Sequence, residues 1–262
     1  MIIFQSKFQA LLHLKYKDAI FCDGTFYVAP NISYQLVITR VYSRDLRSFF
    51  TTSFSLLNNK EQITYELLFN KLKEHILFYT NDNDYYPKEF HCDFELAISN
   101  TKNVFNNQCH IRYCIRHFKR ALDINMMKKC YNEVENNDTF YVLYKCLTNL
   151  PFINSEYVLE LFELIKSKSE NNEHFNAFLK YFKDNYLIKY DIGDWNYYEN
   201  IENTTNNCCE SYNNKLNNYF NKKPTFFRSL YILREEESLI HKEYERLING
   251  IWNSKKKSFY KN

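Results

Sequence analysis

Glycine is scarce in this sequence, with only Gly24, Gly193 and Gly250 among 262 residues. Neither a P-loop nor a G-x-G-x-x-G fingerprint can be written with these three, which excludes glycine-cradled nucleotide phosphates. Long apolar runs are also missing: none approaches the roughly 18 residues of a candidate membrane-spanning helix. The opening Met1-Ile2-Ile3-Phe4-Gln5-Ser6-Lys7 turns polar too early for a secretory signal, so a soluble, intracellular protein is expected. The eight cysteines form no disulfide framework, and a chain of this length needs no such staples.

The hydrophobic fraction of 45% and charged fraction of 25% are those of a globular protein, and the length suits one large domain or a core with an insertion. A near-balance of 34 Lys+Arg against 31 Asp+Glu conceals a pattern. Residues 1–100 sum to −1, 101–130 to +6, 131–210 to −8 and 211–262 to +6. Two basic segments thus flank an acidic middle. Such segments suit a polyanion, because neutralising phosphates releases condensed counterions, although solvated helix faces would look the same.

Asp18–Phe26, Tyr34–Tyr42 and Phe49–Leu56 read as three strands with short connections, an antiparallel meander. Apolar spacing predicts a helix over 61–79, a buried strand at Phe90–Asp93, a helix over 94–105, a strand at 108–113 and a basic helix from Cys114 to about Met127. The order β-β-β-α-β-α-β-α belongs to a mixed α/β sheet. Beyond it the pattern is helical, over 139–150, 155–168, 173–187, 207–220 and from Pro224 to about 249. A Trp195-Asn196 loop interrupts these helices, and the Lys255–Lys257 tail follows them.

Two acids follow short apolar strands, in Phe21-Cys22-Asp23 and His91-Cys92-Asp93. Functional groups collect at strand ends in α/β sheets, but Asp23-Gly24 also reads as a turn and Asp93 as a helix N-cap. Glu210, early in a helix, either complements its positive N-terminus or supplies a third oxygen ligand to a two-metal site. Cys109, His110, Cys114, His117 and Cys130 crowd together, and Cys114-x-x-His117 has a spacing zinc can use. The second ligand pair that a structural zinc site requires is irregular here.

Taken in order, several motifs resemble the transposase domain of Mutator-like elements (MULE), within the RNase H-like DDE/DDD superfamily. They are Asp23-Gly24-Thr25-Phe26, Asp93-Phe94-Glu95-x-Ala97, Cys114-x-x-His117-Phe118 with Arg120-Ala121-Leu122, Trp195-Asn196, Thr205-Asn206-Asn207-x-x-Glu210 and Asn213-x-x-Leu216-Asn217. The likeness spans roughly residues 19 to 220. It implies an RNase H-like mixed five-stranded sheet with an all-helical insertion before the last catalytic helix. The corresponding division is 1–124 for the first part of the core, 125–200 for the insertion and 201–262 for the returning helix and basic tail.

The resemblance further implies a metal-dependent DNA transposase, with Asp23, Asp93 and Glu210 as catalytic residues and ligands of two Mg²⁺ or Mn²⁺ ions. Cys114, His117, Arg116, Lys119, Arg120, Asn206 and Asn207 would support the site or hold nucleic acid. DNA, as transposon ends and target, would be the partner; a homodimer is common in that superfamily, the nucleus follows from the substrate, and no membrane is implied. Thr204, Ser211 and Asn213 stand where the family often has Arg, Gly and His. The alternative is a domesticated, catalytically inactive remnant that binds DNA or protein.

Overall fold

A computed structural model describes residues 1–80, 85–169, 172–199, 206–220 and 222–251. It divides into two compact units, Met1–Ile111 with Asn206–Asn262, and Arg112–Thr205. The first begins with β1 (Ile2–Phe4), α1 (Lys7–Lys15), β2 (Ala19–Thr25), β3 (Gln35–Ser43), β4 (Ser48–Leu57), α2 (Gln62–Leu77) and β5 (Glu89–Cys92). A single turn, α3 (Leu96–Ser99), runs into a 3₁₀ segment (Asn100–Phe105) before β6 (His110–Tyr113). The protein is α/β, with a six-stranded mixed sheet in the order β1-β4-β3-β2-β5-β6.

The expected meander is β2-β3-β4, antiparallel throughout, while β5 lies parallel to β2 on its other side. A sixth strand corrects the expectation of five: β1 pairs antiparallel with β4, Ile2 opposite Leu56 and Phe4 opposite Phe54. Three residues carry too few alternations to announce a strand. The helix behind it left a clearer signal, since Ser6 and Gln9 form a capping box at the start of α1. The expected 61–79 helix is α2, which buries Tyr65, Leu68, Phe69, Leu72 and Ile76 but leaves Ile63 and Leu67 exposed.

The second unit, past the end of β6, is helical: α4 (Ile115–Lys129), α5 (Tyr131–Asn136), α6 (Asp138–Asn149), α7 (Val158–Lys168), α8 (Glu173–Phe182) and α9 (Ile192–Trp195). Its core is aromatic. Trp195, expected in a loop, ends α9 and stacks on Phe118 with centroids 5.6 Å apart, its indole N–H donating to the Tyr186 carbonyl at 3.1 Å. Phe162 stacks on Phe182 at 5.6 Å.

The chain then returns to the first unit as α10 (Asn207–Tyr219) and α11 (Phe226–Ile248). The two are locked at Glu236, a buried carboxylate that accepts from the Tyr212 hydroxyl at 2.9 Å and from Lys215 Nζ at 2.7 Å. Far along α11, His241 stacks on Phe8 of α1 at 4.2 Å. Thr204, Thr205 and Lys255–Lys257 lie outside the described residues. Among the described residues, no helix is long and apolar enough to cross a membrane.

Candidate functional site

Side chains alternate across a strand, so Cys22 and Asp23 must face opposite ways. Register fixes which way. Phe21 lies level with His91 of β5, and their rings stack at 4.3 Å. Asp23 stands two residues further along β2, and Asp93 two residues beyond His91, just past the end of β5. The same alternation gives Asp23 the sheet face carrying Phe21. Asp23 is not a turn residue: β2 continues to Thr25, and Asp23 and Gly24 pair with Ile38 and Val37 of β3. Nor does Asp93 cap a helix, because Glu95 takes that position before α3.

Helix α10 covers this face. Asn206, at its N-cap, is buried and donates from Nδ2 to the Cys22 carbonyl at 2.9 Å, tying the helix start to β2. Arg40 of β3 reaches from the sheet to the Cys208 carbonyl in the first turn, and donates to the Phe49 carbonyl at 2.9 Å. Its guanidinium lies 4.7 Å from the Tyr212 ring centroid. Asn206, Glu210, Asn213 and Asn217 follow at helical spacing and form one polar stripe. Asn213 Nδ2 donates to Asp23 Oδ2 at 2.7 Å, and the Gly24 backbone N–H donates to Asp23 Oδ1 at 2.8 Å. Asn207, by contrast, is exposed.

Glu210 stands one turn ahead of Asn213, half-buried, as are Asp23 and Asp93. The three carboxylates do not all come within 4.8 Å of one another. That spacing does not disqualify them, because two divalent ions about 3.5–4 Å apart can be held by oxygens that never touch each other. The Gly24 and Asn213 donors are neutral, so they orient the Asp23 carboxylate without cancelling its charge. Two thiols of this unit are buried beside the acids. Burial, then the charges of Asp23, Glu95 and Asp93, push the Cys22 thiol well above its ordinary pKa. Cys209 is raised likewise by burial and then by Cys208 and Asp23. The carboxylate oxygens of Asp23, Asp93 and Glu210 are hard donors, the kind that Mg²⁺ or Mn²⁺ prefers.

Glu95 is the carboxylate that sequence reasoning passed over, although it was visible in Asp93-Phe94-Glu95. It accepts from the Tyr65 hydroxyl at 3.1 Å and pairs with Lys60 at 2.7 Å. Tyr65 in turn accepts from Gln35 Nε2 at 2.7 Å. Gln35 is fully buried, and its Oε1 crowds Gly24: a Cβ there would sit 2.6 Å from it. Close approach, not left-handed backbone, is what requires glycine at this position.

In the second unit, Cys114 is the buried N-cap residue of α4, and half-buried His117 follows in its first turn. Their ligating atoms lie within 4.8 Å of each other. Cys130 closes the other end of this 15-residue helix, about 22 Å along the axis, with its thiol pushed up to about 12 by burial. It therefore shares no site with Cys114. Arg116 and Arg120 are exposed on the same helix, and Lys119 lies 5.2 Å over the Phe152 ring. Neither a protein-family model nor a curated protein matches the chain.

Proposed function

We propose that the first unit carries a DNA strand-cleaving and strand-joining centre of the DDE transposase type, with Asp23, Asp93 and Glu210 as its acids. The carrying observation is the parallel pairing of β2 with β5, which puts Asp23 and Asp93 each two residues beyond the paired Phe21 and His91, together with the Asn213–Asp23 hydrogen bond that ties α10, the helix of Glu210, to Asp23. An RNase H-like sheet fits β4-β3-β2-β5-β6, with β1 as an added edge. The similarity to Mutator-like transposase motifs supplies the substrate class.

The chain's own residues do the positioning. Asp23 would be held ready by Gly24 and Asn213, Arg40 would fix the first turn of α10, and the oxygens of Asp23, Asp93 and Glu210 would hold two Mg²⁺ or Mn²⁺ ions. When bound, such ions supply Lewis-acid stabilisation of a phosphodiester's departing oxygen and lower the pKa of water. Arg116 and Arg120, exposed on α4, offer cationic surface to a phosphate backbone. Asn213 departs from the family pattern yet holds Asp23, which favours a maintained site over an inactive remnant.

The test is Mn²⁺ titration by calorimetry together with Mg²⁺-dependent cutting of labelled DNA. The parent is expected to bind Mn²⁺ stoichiometrically and to cut. Asp93→Asn should lose both by at least about 100-fold while its circular dichroism and melting temperature stay unchanged. A parent that binds no Mn²⁺, or a variant that cuts as well as the parent, would overturn the assignment.

A further inference from the structure

Just past Asp23 the chain presents three aromatic side chains to solvent: Phe26, Tyr27 and Tyr34 are 43%, 43% and 48% exposed. A core-forming role does not account for them. Phe26 and Tyr34 meet edge to face at 5.2 Å, and Lys60 Nζ lies 4.9 Å from the Phe26 centroid. The Lys223 backbone N–H donates to the Tyr27 carbonyl at 3.0 Å, which brings exposed Lys222 and Lys223 to the same rim. All six residues belong to the first unit.

Open aromatic faces interleaved with ammonium groups suit one ligand class well. Unpaired nucleotides offer a π-face for stacking and phosphates for the exposed Lys222 and Lys223, Lys60 being paired with Glu95, whereas duplex DNA hides its base faces in the stack. Phe26 and Tyr27 follow the end of β2 three and four residues after Asp23, so they lie at most about 14 Å from it, within the reach of roughly two nucleotides. We infer that this rim is a single-strand binding platform, which stacks an unpaired base flanking the phosphate to be cut. The inference rests on the proposed nucleic-acid chemistry of the neighbouring acids for its location, but its binding can be measured without metal.

The experiment compares the full chain with Tyr34→Ala and Tyr27→Ala, both at exposed positions that should leave the melting temperature unchanged. Binding is followed with a fluorescent single-stranded oligonucleotide, with its duplex, and with 2-aminopurine in the single strand to report stacking. Each variant should bind the single strand about tenfold more weakly and reduce 2-aminopurine quenching, with duplex affinity unchanged. Equal losses on single strand and duplex, or no loss at all, would overturn the platform. Mn²⁺ titration of the same proteins separates the two claims. Normal Mn²⁺ binding with unaltered single-strand affinity defeats only the platform; absent Mn²⁺ binding with the selective loss defeats only the metal centre.

Discussion

Two carboxylates at the same end of the sheet are held in opposite ways. Asp23 accepts from a backbone N–H and from the Asn213 side-chain amide, both uncharged donors. Glu95 accepts from the Tyr65 phenol and is paired with the Lys60 ammonium. Neutral donors orient a carboxylate while leaving its charge in place; an ammonium cancels that charge. The difference separates a group suited to bind a cation from one that fastens a loop. It also explains why two acids so near in space should respond very differently to substitution.

The largest effect should come from the residue that lets the two networks sit side by side. Alanine at Gly24 would push its Cβ to 2.6 Å from Gln35 Oε1. Gln35 cannot swing aside without giving up its 2.7 Å bond to Tyr65. Gly24→Ala should therefore lose about 1–3 kcal/mol, read as a fall of several degrees in melting temperature. A variant as stable as the parent would mean that the Gln35–Tyr65–Glu95 chain is loose, and the contrast drawn above would lose its footing.

Asn213→Ala comes next, because it strips the side-chain amide donor from Asp23. A hydrogen bond to a charged group contributes about 1.5–3 kcal/mol, and half-burial of Asp23 reduces that to about 1–2 kcal/mol. Mn²⁺ affinity should weaken about tenfold as Asp23 gains freedom, and Asn213→His, which restores an N–H donor, should recover part of it. Equal affinities for all three proteins would show that Asn213 does not orient the carboxylate.

The strands were legible because their apolar alternation is strong: the β2-β3-β4 meander and the buried β5 follow directly from it. What escaped was short or ambiguous. A three-residue β1 carries almost no periodicity, and the Phe94–Phe105 stretch, apolar at helical spacing, ends as one turn of α3 and a 3₁₀ segment capped by left-handed Asn106. Asp-Gly is a strong local turn pair, yet Asp23-Gly24 lies within β2, since pairing to Ile38 and Val37 outweighs the local preference. The roles of Asn206 and Asn213 could not be read from spacing at all. Each depends on which strand α10 covers, and that is a long-range contact.

The smallest effect is expected at Glu95, and it is the most discriminating. Its partner Lys60 keeps about a third of its side chain in solvent, so the ion pair is worth at most about 1 kcal/mol. Glu95→Gln preserves an acceptor for the Tyr65 hydroxyl while removing the charge. Stability should fall by less than about 1 kcal/mol, and Mn²⁺ affinity should stay within about twofold of the parent. Asp23→Asn, which removes the same charge from the other network, should abolish Mn²⁺ binding. If Glu95→Gln instead costs as much Mn²⁺ affinity as Asp23→Asn, then Lys60 does not neutralise Glu95 when cations are present. Glu95 would in that case be a fourth oxygen ligand.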